Sequence, residues 1–363
     1  MARFGLWRLC GEDLMIASAE IKARAREMGF DLCGIAPAAD FPELRRLREW
    51  IDRGYAGEMG YMARTASRRA DVRCIVPLAR SVIVAAVNYN VDRPYSTELD
   101  DLSRAQIARY AWGDDYHDVL VRRLEALLEW MRERHGEPFE ARVYVDTGPI
   151  QERVYAQYAG IGWIGKNTCV INPRIGSWIF LSEIVCSLPL EPDTPALDQC
   201  GTCALCLEAC PTGAIVEPWV VDATRCLSYL TIELKTEIPE SLRDSVGARV
   251  FGCDVCQEVC PWNARPACSE DSSWQPRSAL TTPRLIDLWM RSDTELAEIV
   301  KGGPMTRPKL HGLRRNLAVA LGNSGRPDAR DALDHARSDE STQSPMVAKH
   351  VEWAKGKLRS DRL

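Results

Sequence analysis

Long hydrophobic runs are missing from this chain. No apolar stretch of its 363 residues reaches the roughly eighteen that a membrane-spanning helix needs, so no membrane role is expected. An excess of positive charge is missing too: the net charge is −5, so a polyanionic partner would have to be met by a local patch. The opening "MARFGLWRLCGEDLM" lacks an A-x-A cleavage pattern, and Glu12 and Asp13 follow at once, so no signal peptide is expected. Residues 1–14 read as an extension, with the folded part starting near Met15. There is no twin-arginine signal and no G-x-G-x-x-G after a strand. "GWIGKNT" lacks the spacer and upstream glycine of a phosphate loop. The glycines Gly160, Gly162 and Gly165 are then turn formers on this reading. Histidine is scarce, five in all.

Cysteine is abundant and clustered: fourteen residues. In a chain expected in the cytoplasm, clustering favours metal over disulfides. Cys200, Cys203, Cys206 and Cys210 make C-x2-C-x2-C-x3-C followed by proline. Cys253, Cys256 and Cys260 repeat the last part, again with proline, and Cys226 stands between. In two-cluster ferredoxins the fourth cysteine of such a run ligates the other cluster, because three thiolates on one tight loop face one cube and the next faces away. The spacing therefore predicts one 4Fe-4S cluster on Cys200, Cys203, Cys206 and Cys260, and a second on Cys226, Cys253, Cys256 and Cys210. Two structural zinc sites are the alternative. Zinc sites usually pair two C-x2-C arms, and no histidine lies in the region. Cys10, Cys33, Cys74, Cys169, Cys186 and Cys268 lack ligand spacing and are expected to be buried apolar or incidental residues.

Residues 15–28 have the apolar spacing of an amphipathic helix stopped by Gly29. "DLCGIAPA" predicts a short strand ending at Pro37, and "SVIVAAVNY" a buried one. Ser103 is the expected N-cap of a helical stretch, broken near Gly113, that runs to Arg134. "ARVYVDTGP" reads as strand then turn, Pro149 as the start of a helix ended by Gly160, and "GSWIFLSEIV" as another strand. Residues 15–190 thus predict an α+β fold with one mixed core. "EPDTPALDQ", residues 191–199, reads as a linker to the cysteine region. From about Leu285 short helices joined by Gly, Pro and Asn suggest a helical repeat.

The segments "VDTGP", "ERVYAQYAGIGWIGKNT", "GSWIFLSEI", "CGTCALCLEACPTGAI", "RCLSYLTIE" and "GCDVCQEVCPWN" stand in the order found in epoxyqueuosine reductases. The upstream "RRADVRCIVPLARSVIV" and "YAWGDDYHDVL" and the downstream "LRRNLAVALGN" match as well. The chain resembles that family from about Met15 to Gly325. A looser resemblance runs to reductive dehalogenases, which makes reduction of a small halogenated molecule the alternative function. The family resemblance implies cobalamin between a cobalamin-binding α+β domain with a nitroreductase-like core (15–190) and a ferredoxin-like double-cluster domain (191–285). A helical HEAT-like tRNA-binding domain (286–363) follows. It implies the reaction as well: reduction of epoxyqueuosine to queuosine at the tRNA wobble position, by a monomer fed from a separate electron donor.

The resemblance also implies site residues. Asp146, in "VDTGP", matches the proton donor and should lie against the cofactor, its pKa raised by burial against the corrin. Arg69, Arg109, Val170 (through its backbone), Ser228 and Gly252 match cobalamin contacts. His117 in "DDYHD" reads as structural. Lys301, Arg307, Lys309, His311, Arg314 and Arg315 crowd into a stretch without acids, with Arg326 beyond. The family places tRNA contact there, and Lys235 matches a position near the anticodon.

Overall fold

Uninterrupted β-branched runs build the centre of the protein. The computed structural model describes residues 16–335 and 339–360; the extension at residues 1–14 and Cys10 lie outside the described residues. Four antiparallel strands form a sheet in the spatial order Leu32–Pro37, Ser81–Asn88, Ile179–Cys186, Ala141–Tyr144. Register is set across the middle, where Ile83 pairs with Ile35 on one side and with Ile184 on the other, and Ile184 pairs with Val143. Side chains alternate between faces. Ile35, Ile83, Ala85, Val87 and Ile184 join the core under the helices Ser18–Glu27 and Tyr116–His135. Ala36, Val82, Val84, Ala86 and Val185 join the core under the helix Glu152–Tyr158. Both faces are covered, which is why every residue of Ser81–Asn88 is buried.

Two expected boundaries move. The long helix starts at Tyr116, capped by the Asp115 carboxylate, which accepts from the His117 backbone N–H; Ser103 caps nothing there. Its hydroxyl is bonded to Asp101 instead, since a serine competes for local partners wherever the chain turns. Pro149 precedes the helix Glu152–Tyr158 by three residues rather than starting it, because the intervening residues belong to the turn that carries Asp146.

The cysteine region holds two short helices, Leu205–Glu208 and Val255–Glu258, packed on one another. A parallel pair, Gln106–Ile107 with Arg249–Phe251, ties this region to the first. Residues 191–199 form no regular element, but they are not slack. Asp193 pairs with Ile35 through both backbone and carboxylate (2.8 and 2.9 Å) and takes Lys22 at 2.7 Å.

Beyond residue 284 come the helices Leu285–Met290, Asp293–Val300, Lys309–Asn323, Pro327–Asp334 and Pro345–Ser360. Lys309–Asn323 is buried from Gly312 to Gly322. A side chain at Gly322 would meet Ala354 at 2.8 Å, so glycine sets the close crossing with Pro345–Ser360. Among the described residues no helix is long and apolar enough to cross a membrane.

The expected basic face is corrected here. Arg314 and Arg315 are both 0% exposed. The Arg314 guanidinium donates to the carbonyls of Trp289 and Arg291 and to Asp293. Arg315 donates to the carbonyls of Leu230, Leu234 and Thr236 and to the Asn316 side chain. A helix leaves its last carbonyls without partners. These two arginines supply them, for Leu285–Met290 and Leu227–Ile232 respectively, so neither can present charge to a nucleic acid.

Candidate active site

Asp146 sits just past the strand Ala141–Tyr144 with φ +55, a left-handed conformation that aspartate tolerates better than most residues. The turn lies flat on Tyr144: a side chain on Gly148 would stand 2.2 Å from that ring. This strands the Asp146 carboxylate in the open, 60% exposed. Its Oδ2 accepts from the Tyr116 hydroxyl at 2.8 Å and faces His117 Nε2 at 3.4 Å. His117 Nδ1 lies 2.7 Å from Asp115 Oδ1, so one imidazole bridges two carboxylates. Tyr116 is aimed by stacking on Phe180, centroids 4.3 Å apart.

The charges follow from these contacts. For Asp146, desolvation pushes the pKa up, but the bonds from His117 and Tyr116 and the charges of His117 and Arg153 outweigh it and hold the carboxyl below its ordinary range. In this arrangement Asp146 is the anion; the raised pKa expected from the sequence belongs to a carboxyl covered by a corrin face. The proton sits next door. Desolvation pulls His117 down, yet its bonds and charge contacts with Asp115 and Asp146 win and carry it up to about 9. His117, read from the sequence as structural, thus stands at the site. Tyr116 was missed altogether. The only signal for either was their place in "DDYHD", at the start of a helix whose N-cap was misassigned.

The eight cysteines fall into two groups. Cys206 lies within electrostatic reach of Cys260, Cys200 and Cys203, and Cys260 of Cys200 and Cys203. Cys200, Cys203, Cys206 and Cys260 line one cavity of about 260 Å³ with Lys166, Asn167 and Trp262. Cys226 lies near Cys210, Cys253 near Cys226, and Cys256 near both Cys253 and Cys226. The pairing brought together is the crossed one. Among the described residues no three Cys, His, Asp or Glu side chains converge as on a single ion. The Ala214 backbone N–H points at Cys210 Sγ, 3.2 Å away. Cys169 is not incidental: its thiol lies within electrostatic reach of Cys256.

The remaining residues divide. Arg69 donates to the Ile150 carbonyl at 2.9 Å and to Thr65, bracing the far side of the Asp146 turn. The Arg109 guanidinium is enclosed, with the residue 3% exposed. It donates to the carbonyls of Val91, Arg93 and Pro94 and lies over the rings of Tyr95, Trp112 and Trp178. A side-chain contact from Arg109 to a corrin is corrected accordingly: the guanidinium is buried, and both of its terminal nitrogens already donate to backbone carbonyls. Val170 is buried, Ser228 is half-buried beside Cys226, and Gly252 has φ +71 with its Cα face against Ala108. Lys235, Lys301, Arg307 and Lys309 are exposed, as is Arg326, and His311 is half-buried. Arg307 pairs with Glu233 at 2.9 Å, Lys301 with Glu298, and Arg326 with Asp328. Lys235 and Lys309 make no ion pair among the described residues.

Two cysteine groups with ferredoxin spacing, in a chain that also presents the exposed Asp146 carboxylate, define an oxidoreductase. Residues 69–147 match the family described as epoxyqueuosine reductase QueG, and residues 199–263 match the 4Fe-4S double cluster binding domain. The epoxyqueuosine reductase of Xanthomonas campestris pv. campestris is 41% identical over 343 residues, covering 93% of this chain and 95% of that one. A crystal structure of epoxyqueuosine reductase with an epoxyqueuosine-modified tRNA-Tyr stem loop superposes with a TM-score of 0.83 at 31% identity, covering 94% of this chain and 89% of the other. The enzyme from Bacillus subtilis, solved with its catalytic loop swung out of the active site, gives 0.83 at 30% identity, covering 94% and 90%. The chain belongs to the epoxyqueuosine reductase family.

Proposed function

We propose that this protein reduces epoxyqueuosine in tRNA to queuosine. The observation that carries the reading is the Asp146 carboxylate, standing exposed between a tyrosine and a histidine in a protein with two cysteine quartets. Removing an epoxide oxygen as water takes two electrons and two protons, and leaves a carbon–carbon double bond. The quartets Cys200, Cys203, Cys206, Cys260 and Cys226, Cys253, Cys256, Cys210 hold the 4Fe-4S clusters, which pass electrons singly. Cobalamin, when bound, supplies the cobalt chemistry that gathers two electrons at the substrate.

The residues around Asp146 fit such a group. Asp146 faces outward, Tyr61 and Arg307 lie within electrostatic reach of it, and Ser228 and Gly252 stand two residues from Cys226 and one from Cys253. Val170, Ser228 and Gly252 would hold its edge, and Arg69 would act by bracing the turn. His117 passes its proton through the 3.4 Å contact to Asp146, which delivers it to the departing oxygen. The second proton enters from solvent through the exposed Asp146 carboxylate, while Tyr116 keeps that carboxylate aimed. Lys235, Lys309 and Arg307 meet the tRNA phosphates. Residues 15–190 then serve as the cobalamin-binding part, 191–285 as the ferredoxin-like part and 286–363 as the helical tRNA-binding part.

The test is turnover of epoxyqueuosine-containing tRNA by protein reconstituted with iron, sulfide and cobalamin under a chemical reductant. Wild type should form queuosine. Asp146→Asn should keep both clusters and the corrinoid absorbance and lose about 10²-fold or more in rate. Full activity in that variant would remove Asp146 from the mechanism.

A further inference from the structure

Beneath the Asp146 turn lie two carboxyl groups that the reaction as proposed does not use. Glu183 is the one acid in the strand Ile179–Cys186, and it sits in the middle of the sheet at 0% exposure. By strand alternation it faces the helix Glu152–Tyr158 together with Val185. No N–H or O–H donor satisfies either of its oxygens among the described residues. An isolated carboxylate in such a place is very costly. Its near neighbour is Glu152, the first residue of that helix, which lies within electrostatic reach of it. A hydrogen bond between the two needs a shared proton, since two carboxylates have only acceptors. The other contact of Glu152 reaches the active site: its Oε1 accepts the backbone N–H of Asp146 at 2.5 Å.

We propose that Glu152 and Glu183 are a proton-sharing carboxyl pair that positions the catalytic turn, with Glu183 donating to Glu152 and Glu152 holding the Asp146 N–H. The inference rests on Asp146 being the donor, as proposed above. The pair never touches substrate. It fixes the left-handed backbone at Asp146 from the sheet side, while Arg69 braces the turn at Ile150. The electrostatic surroundings agree. Desolvation, followed by the charge of Asp146, pushes Glu152 up to about 8, and desolvation together with the charge of Glu152 pushes Glu183 well above the ordinary carboxylate range. The groups facing the pair are Asp146 on the turn, Arg153 on the helix, Tyr144 beside Glu183 in the sheet, and Tyr116 and His117 beyond Asp146.

The reconstituted enzyme without tRNA should show the infrared band of a protonated, buried carboxyl group at neutral pH, and Glu183→Gln should abolish or shift it. No such band in wild type, or an unchanged one in Glu183→Gln, overturns the pair. For positioning, turnover is compared between Glu183→Gln, whose amide still donates to Glu152, and Glu183→Ala, which has no donor. The alanine variant should be about tenfold or more slower in kcat than the glutamine variant, with KM for tRNA unchanged. Equal rates overturn the positioning role. Should Glu183→Ala fail to fold, Glu152→Ala against Glu152→Gln makes the same comparison from the other partner. The infrared result does not depend on whether Asp146→Asn remains active, so failure of the donor reading and failure of the pair are told apart.

Discussion

Asp146 and His117 divide one proton between them, and the division sets a pH dependence. His117 has a folded pKa of about 9 against an ordinary value of 6.5. A raised value means that the folded state binds the proton more tightly. Its contribution to stability is complete below about 6.5 and is lost as pH rises through about 9. If His117 recharges Asp146, single-turnover rate should hold at neutral pH and fall through the same upper range. His117→Gln should remove that alkaline limb and slow the reaction about 10²-fold. An unchanged limb in the variant would assign it to another group. Little of this was legible in the sequence. "VDTGP" offered a turn aspartate and its family role, but the sign of its pKa shift depends on Tyr116 and His117, thirty and twenty-nine residues away. Glu183 did leave a trace: one acid inside "WIFLSEIV", a strand that otherwise reads as buried.

Helix ends explain where the sequence misled most. Arginines crowded into an acid-free stretch read as a surface patch, because a buried charge is the rarer outcome. Position within the Lys309–Asn323 helix overrides that expectation. This helix runs through the core beneath two others, and its arginines meet their terminal carbonyls. Burial presses Arg315 down to about 10, yet three carbonyls and an amide oxygen hold it in place. Arg315→Met leaves those acceptors unpaired, at about 1–3 kcal/mol for each buried group. The variant should lose about 3 kcal/mol or more of unfolding free energy in urea titration. A loss below about 1 kcal/mol would show that water readily replaces the guanidinium. Arg315→Glu should fail to fold, so its loss of tRNA binding would report on stability and not on a phosphate contact. The apolar strands, by contrast, were legible almost to the residue, because period and branching are local properties and both sheet faces reward the same residue types.

At the scale of the whole molecule, the two cysteine runs cross. Each run sends its last cysteine to the other group: Cys210 lies with Cys226, and Cys260 with Cys206, Cys200 and Cys203. This was the most legible part of the site, since ligand spacing is written in the chain and needs no tertiary information. The crossing makes a prediction that simple proximity in sequence would invert. Cys210→Ser should lose the cluster of Cys226, Cys253 and Cys256 and keep the other, and Cys260→Ser should do the reverse. Each would leave about four irons per chain instead of about eight. Low-temperature electron paramagnetic resonance would tell the surviving clusters apart. Identical residual spectra from the two variants would refute the crossing.

The crossing also bears on where tRNA approaches. Lys235 follows Cys226 by nine residues, and Lys309 begins the helix whose Arg315 clamps the segment between them. Both lysines are exposed, so both can answer to phosphate without releasing a carboxylate, which Arg307 cannot. Removing the two together as Lys235→Ala with Lys309→Ala should weaken tRNA binding at low salt. It should also flatten the dependence of log affinity on log salt by about 1.5, as expected for two lost phosphate contacts. An unaltered slope would move the tRNA surface away from this edge. A slope that flattens while the Cys210→Ser protein keeps wild-type affinity would place recognition on the lysines and leave the clusters to electron transfer alone.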